Sequence, residues 1–144
     1  MEGDGLMTTQ TFQTTQQGYT IQAAVTTIGP DILIVVTGGD HPHIGDVTTL
    51  TATTGLQTIK YPSHDGRFHK DNIVGEQLAQ QIQSVLRGSC TITSGIHVDH
   101  ISQAQIDAAV PMGRKLGVQI KQWLHDQPFS ISAPVYYSDQ ERPK

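Results

Sequence analysis

Six of the seven histidines fall in three short segments, residues 38–45, 64–70 and 95–100, which also carry most of the sequence's unusual chemistry. The first is Gly38-Gly39-Asp40-His41-Pro42-His43-Ile44-Gly45. Its paired glycines permit positive φ and expose backbone N–H groups, the ingredients of an anion-binding nest. Pro42 stiffens the spacing between His41 and His43. No Lys-Ser/Thr follows, so this is not a nucleotide phosphate loop. The second segment is His64-Asp65-Gly66-Arg67-Phe68-His69-Lys70. It leads a predicted helix, so a helix N-terminus, Arg67 and Lys70 together favour a phosphate or carboxylate. The third is Gly95-Ile96-His97-Val98-Asp99-His100. Period two puts His97 and Asp99 on one face, where the carboxylate fixes the imidazole tautomer or shares a metal with it. Each segment also has a plainer reading: a turn with solvated histidines, a cationic surface loop, and a structural histidine before a helix. His125 reads as an ordinary helix-surface residue, and Cys90, with no basic neighbour in sequence, as a small core residue. There is no G-x-S-x-G elbow and no cysteine near a histidine-bearing helix start, so nucleophilic catalysis has little support.

These loops need a scaffold, and the hydrophobic pattern supplies one. Residues 12–27 are rich in Thr, Gln, Tyr, Ile and Val and suit a half-buried pleated surface. Gly29-Pro30-Asp31 predicts a turn into a fully buried strand over Ile32–Val36, and the pair forms a hairpin. Two more strands are expected over Val47–Thr54 and Leu56–Tyr61. A helix over Asp71–Leu86 follows from Val74, Leu78, Ile82, Val85 and Leu86, with Arg87-Gly88 as its stop. Cys90–Ile96 reads as a short strand. Ser102-x-x-Gln105 is a capping box opening a second helix through Leu124, with Pro111 expected to kink it or to mark a broken first turn. Residues 1–11 read as a flexible lead, with Met7 a second plausible start. A single domain is expected over 12–136. Residues 129–144 hold a possible terminal strand, with a polar tail from 137. Strands before helices predict an α+β fold with a mostly antiparallel sheet and two main helices.

The 144 residues carry a net charge of −4 with nine lysines plus arginines, too few for a broad nucleic-acid footprint. The longest aliphatic run, Ile32–Val36, falls far short of the roughly 20 residues of a membrane helix. The N-terminal residues are acidic and polar, unlike a signal peptide. One cysteine excludes an intramolecular disulfide framework and any zinc site built on several thiolates. The expectation is a soluble cytoplasmic protein.

A buried strand running into Gly38-Gly39-x-x-Pro42-His43-Ile44-Gly45 comes first, followed by His69-Lys70 leading a helix. Gly95-Ile96-His97-Val98-Asp99 then stands before a capped helix. This order resembles the prenylated-flavin chaperone family, the small accessory subunits of phenolic-acid decarboxylases such as gallate decarboxylase. The resemblance spans about Tyr19 to Trp123. It implies a proteasome-assembly-chaperone-like fold, a homodimer, and a non-catalytic role. That role is to bind reduced prenylated FMN, made by a flavin prenyltransferase, and deliver it to a hydroxyarylic acid decarboxylase apoenzyme. Carried over residue by residue, it implies cofactor contacts at Gly38, Gly39, His43, Gly45, His69, Lys70, His97 and Asp99, with Pro42 and Gly95 also matching. His43, His69 and His97 are then the expected set for a divalent or iron-type metal. His41, His64 and His100 stand at positions where the family is expected to vary and are secondary candidates. Two other classes stay open. One is a small metal-dependent enzyme or catalytic accessory subunit using His43, His97, Asp99 and His100. The other is an assembly factor that clamps a protein partner through its sheet.

Overall fold

The computed structural model describes residues 7–62, 72–127 and 133–143. In chain order the elements are β1 (Thr8–Gln16), β2 (Tyr19–Ile28), β3 (Asp31–Gly39), β4 (Asp46–Leu50) and β5 (Gln57–Lys60). Then come α1 (Asn72–Ile82), a 3-10 turn over Gln83–Val85, β6 (Cys90–His97) and α2 (Gln103–Asp126). One six-stranded sheet runs β1-β2-β3-β6-β4-β5. Only β3 and β6 pair in parallel; the other four neighbours are antiparallel. The fold is α+β, as the strand-then-helix order predicts.

Alternation decides which face is buried. Along β3 every second residue, Ile32, Ile34, Val36 and Gly38, is buried, and the residues between them are half-buried. The same parity in β2 and β6 sets Ile21, Ala23, Val25, Cys90, Ile92 and Ser94 on the buried face. Both helices lie there. Leu78 and Ile82 of α1 and Met112, Leu116 and Ile120 of α2 are fully buried with Ile21, Ile34 and Ile92. Each such aliphatic side chain contributes about 1.5–3 kcal/mol on burial. The Phe12 and Trp123 rings meet edge-on at 5.9 Å, and the Tyr19 hydroxyl donates to the Gln105 carbonyl at 2.8 Å. These two contacts pin α2 across the β1–β2 hairpin.

Several expectations change. The half-buried stretch over residues 12–27 is two strands, folded back at Gln17-Gly18, where both φ angles are positive. Two residues at positive φ match the right-handed twist of a tight hairpin. β1 starts at Thr8, inside the expected lead. The strand expected over Val47–Thr54 stops at Leu50, because the threonines that follow bond to one another. The Thr51 hydroxyl accepts from the Thr53 and Thr54 amides and meets the Thr54 hydroxyl at 2.7 Å, which competes with the ladder. α1 ends at Ile82, short of the expected Leu86. Its expected first residue, Asp71, lies outside the described residues. α2 runs unbroken through Pro111. Pro111 and Asp107, whose carbonyl loses its helical partner, are both exposed, which leaves that carbonyl on the solvent side of the helix. Among the described tail residues 133–143 there is no strand. Among the described residues no helix is long and apolar enough to cross a membrane.

Candidate functional site

The parallel pairing of β3 with β6 builds the site. Parallel neighbours release their following loops at the same end of a sheet, whereas antiparallel neighbours release them at opposite ends. Gly39, the last residue of β3, stands opposite His97, the last residue of β6. The first and third histidine segments therefore leave the sheet side by side, though far apart in sequence.

Backbone contacts lock the two loops together. The Asp40 amide donates to the His97 carbonyl at 2.6 Å, and the His41 amide reaches the same oxygen at 3.4 Å. Gly39 has φ +75°, and a Cβ there would overlap the His97 carbonyl. A Cβ on Gly95 would likewise overlap the His43 carbonyl. At the far end of the first loop, the Gly45 amide donates to the Ser94 carbonyl at 2.7 Å, and its carbonyl accepts from the Tyr61 amide at 2.8 Å. The amides of Asp40, His41 and Gly45 are thus spent inside the fold. In this loop, glycine provides close approach of backbone to backbone.

The side chains on this frame converge on Asp99. His41 Nε2 lies 3.1 Å from Asp99 Oδ2, and His97 Nε2 lies 3.0 Å from Asp99 Oδ1. The two rings meet edge-on at 5.3 Å. The Asp99 amide in turn donates to Asp40 Oδ2 at 2.8 Å. His41, and then His97, hold the Asp99 carboxyl below the usual carboxylate range by hydrogen bonding to its ionised form. All three side chains are more than half exposed. β6 stops at His97, so Asp99 reaches its neighbour from a turn and not, as period two suggests, from the same strand face. His100 follows in that turn with φ +52°.

The expected residues are thus only partly brought together. His97 and Asp99 touch. His43 turns its Nδ1–H onto the His41 carbonyl at 2.9 Å, while His41, outside the resemblance, takes the place beside His97. Gly38, Gly39 and Gly45 frame the loop. His64, Arg67, His69 and Lys70 lie outside the described residues. Asp40 was missed as a positioning residue; its partner, the Asp99 amide, lies 59 residues away, so no local pattern marks it. Asp46, fully buried at the start of β4 opposite Ser94, was also missed. His125 sits exposed at the end of α2, 3.3 Å from Asp126, as an ordinary surface residue. A cleft of about 560 Å³ opens at the other end of β6, between Thr51–Leu56 and Ser89–Thr91, and among the described residues Cys90 is its only titratable lining group.

Residues 15–125 match the model of the prenylated flavin chaperone LpdD-like domain. The chain belongs to that family. The prenylated flavin chaperone match begins within β1, ends in the last turn of α2 and takes in all three histidine segments. The chain is 58% identical over 134 residues to Protein LpdD of Lactiplantibacillus plantarum, covering 93% of this chain and 98% of that relative. Among solved structures, it is similar to a chain of a novel chaperone complex for yeast 20S proteasome assembly. The TM-score is 0.49 and the identity 12%, over 83% of this chain and 98% of that one.

Proposed function

We propose that this protein binds reduced prenylated FMN and delivers it to the apoenzyme of a prenylated-flavin-dependent hydroxyarylic acid decarboxylase of the gallate type. It acts as a cytoplasmic homodimer without catalysing a reaction itself, and a flavin prenyltransferase supplies the cargo. The observation that carries this reading is the convergence of two histidine-bearing loops on one end of the sheet, in a member of the prenylated flavin chaperone family. Neutral imidazoles both donate and accept, which suits the polar edge of an isoalloxazine ring. Gly38, Gly39 and Gly45 shape the loop beneath them, and His43, His97 and Asp99 line its rim. Asp40 and Asp99 make this rim acidic, unfavourable for a phosphate. The FMN phosphate is therefore assigned to His69 and Lys70, whose cation gives a charge-assisted bond. Reduced flavin reacts with oxygen, so a carrier that covers the ring preserves it between enzymes.

The test is anaerobic co-expression with a flavin prenyltransferase. Flavin absorbance should co-purify with the protein, and adding the loaded protein to apo-decarboxylase should start release of carbon dioxide. The loaded chain alone should turn over no hydroxyarylic acid. Colourless protein that fails to activate the apoenzyme overturns the reading. Metal-dependent turnover by the chain alone would instead support the small metal-dependent enzyme.

A further inference from the structure

His41, His97 and Asp99 present two imidazole nitrogens and a carboxylate oxygen within 4.8 Å of one another. We propose that these three side chains form a site for a divalent first-row transition metal of the ferrous type, with open coordination positions facing outward. Two histidines and one carboxylate are the donor set that such ions take while leaving room for further ligands. Ligand atoms about 2.1 Å from one ion lie about 3.0 Å apart along an octahedral edge. Each imidazole meets its own carboxylate oxygen at such a distance, His41 Nε2 at 3.1 Å from Oδ2 and His97 Nε2 at 3.0 Å from Oδ1, and the three donors lie within 4.8 Å of one another. A metal replaces the contact by a tautomer change: each neutral ring moves its proton to Nδ1 and turns the Nε2 lone pair to the ion.

The frame around the three groups is that of a built site. Asp99 is held through its own amide by Asp40, and Asp40 and His41 are tied through theirs to the His97 carbonyl. The three donors thus come from two loops locked to each other before any ion arrives. Such surrounding hydrogen bonds orient ligands and tune affinity. Exposure of more than half of each side chain leaves the outward positions to water or to a bound molecule. Among the described residues the three-donor cluster does not include His43, whose Nδ1 bonds the His41 carbonyl. His125 and Asp126 provide an internal contrast: one imidazole and one carboxylate, 3.3 Å apart on one helix, outside the three-donor cluster.

The site needs no flavin, so it is tested with metal alone, and its failure leaves the carrier reading standing. Untagged protein is titrated anaerobically with Co(II), following its visible d–d absorption. One saturable equivalent is expected. His41→Ala, His97→Ala and Asp99→Asn should each weaken it tenfold or more, with circular dichroism and melting unchanged because the side chains are exposed. His125→Ala should bind like the unaltered protein. Absence of saturable binding overturns the proposal. So does binding that survives both His97→Ala and Asp99→Asn, or that is lost in His125→Ala.

Discussion

Cys90 begins β6 with 1% of its surface exposed, and burial pushes its thiol up to about 12. Only the thiolate is a nucleophile, so two barriers, access and charge, act together. At pH 8 the native protein should react with a disulfide reagent far more slowly than the denatured chain; equal rates would show that β6 opens readily. The sign follows for stability as well. A raised pKa means that the buried neutral thiol contributes fully below about 8.5, its unfolded value, and that this contribution is lost as pH climbs toward 12. The sequence made Cys90 legible because its neighbours are uncharged. It did not make the choice between His41 and His43 legible. Both flank Pro42, and which ring meets His97 depends on a φ of +75° at Gly39 and on a β6 carbonyl distant in sequence.

Elements were legible where a local device sets them. The Ser102 hydroxyl accepts from the Gln105 amide at 3.1 Å, and the Gln105 side chain accepts from the Ser102 amide at 3.0 Å. This reciprocal box satisfies two amides at the start of α2, and Gln105 also donates to the Gln17 carbonyl, tying the helix start to the β1–β2 turn. Ser102→Ala should cost about 0.5–2 kcal/mol in denaturant unfolding. A change below that range would mean that the tie to Gln17 holds the helix without the box. Where no such device exists, the elements blurred. Gln17-Gly18 is a weaker hairpin signal than Asn-Gly, so two strands looked like one. Threonine suits either face of a strand and also bonds locally, so the end of β4 could not be placed from type alone. The parallel β3–β6 pair, which assembles the site, is a non-local pairing, and no local pattern encodes it.

At the scale of the whole molecule, the face of the sheet away from the helices carries an unusual composition. Its strand positions include Thr11, Gln13, Gln22, Ala24, Thr26, Leu33, Val35, Thr37, Val47, Thr49, Thr91 and Thr93. The one charge among its described strand positions is Asp31, at the rim, where its carboxylate accepts from the Ser89 amide. A water-facing sheet surface usually alternates polar and charged residues outward. A face with no central charge does not repel its own copy. Six strands about 4.8 Å apart make it about 24 Å across, enough for an interface near the lower end of the stable range of about 1,200 Å². The proposed homodimer should therefore pair these faces back to back, with the helices outside and the histidine loops at the ends of the interface. Val35 stands mid-face, paired with Ala24 on one side and Thr93 on the other. Val35→Lys puts an ammonium at that centre in each copy, where two like charges meet in a dry contact. Light scattering should give a dimer for the unaltered chain and a monomer for Val35→Lys, with the far-ultraviolet dichroism of both alike. A dimer that persists in Val35→Lys, or a monomer in both, would move the pairing surface elsewhere or remove it.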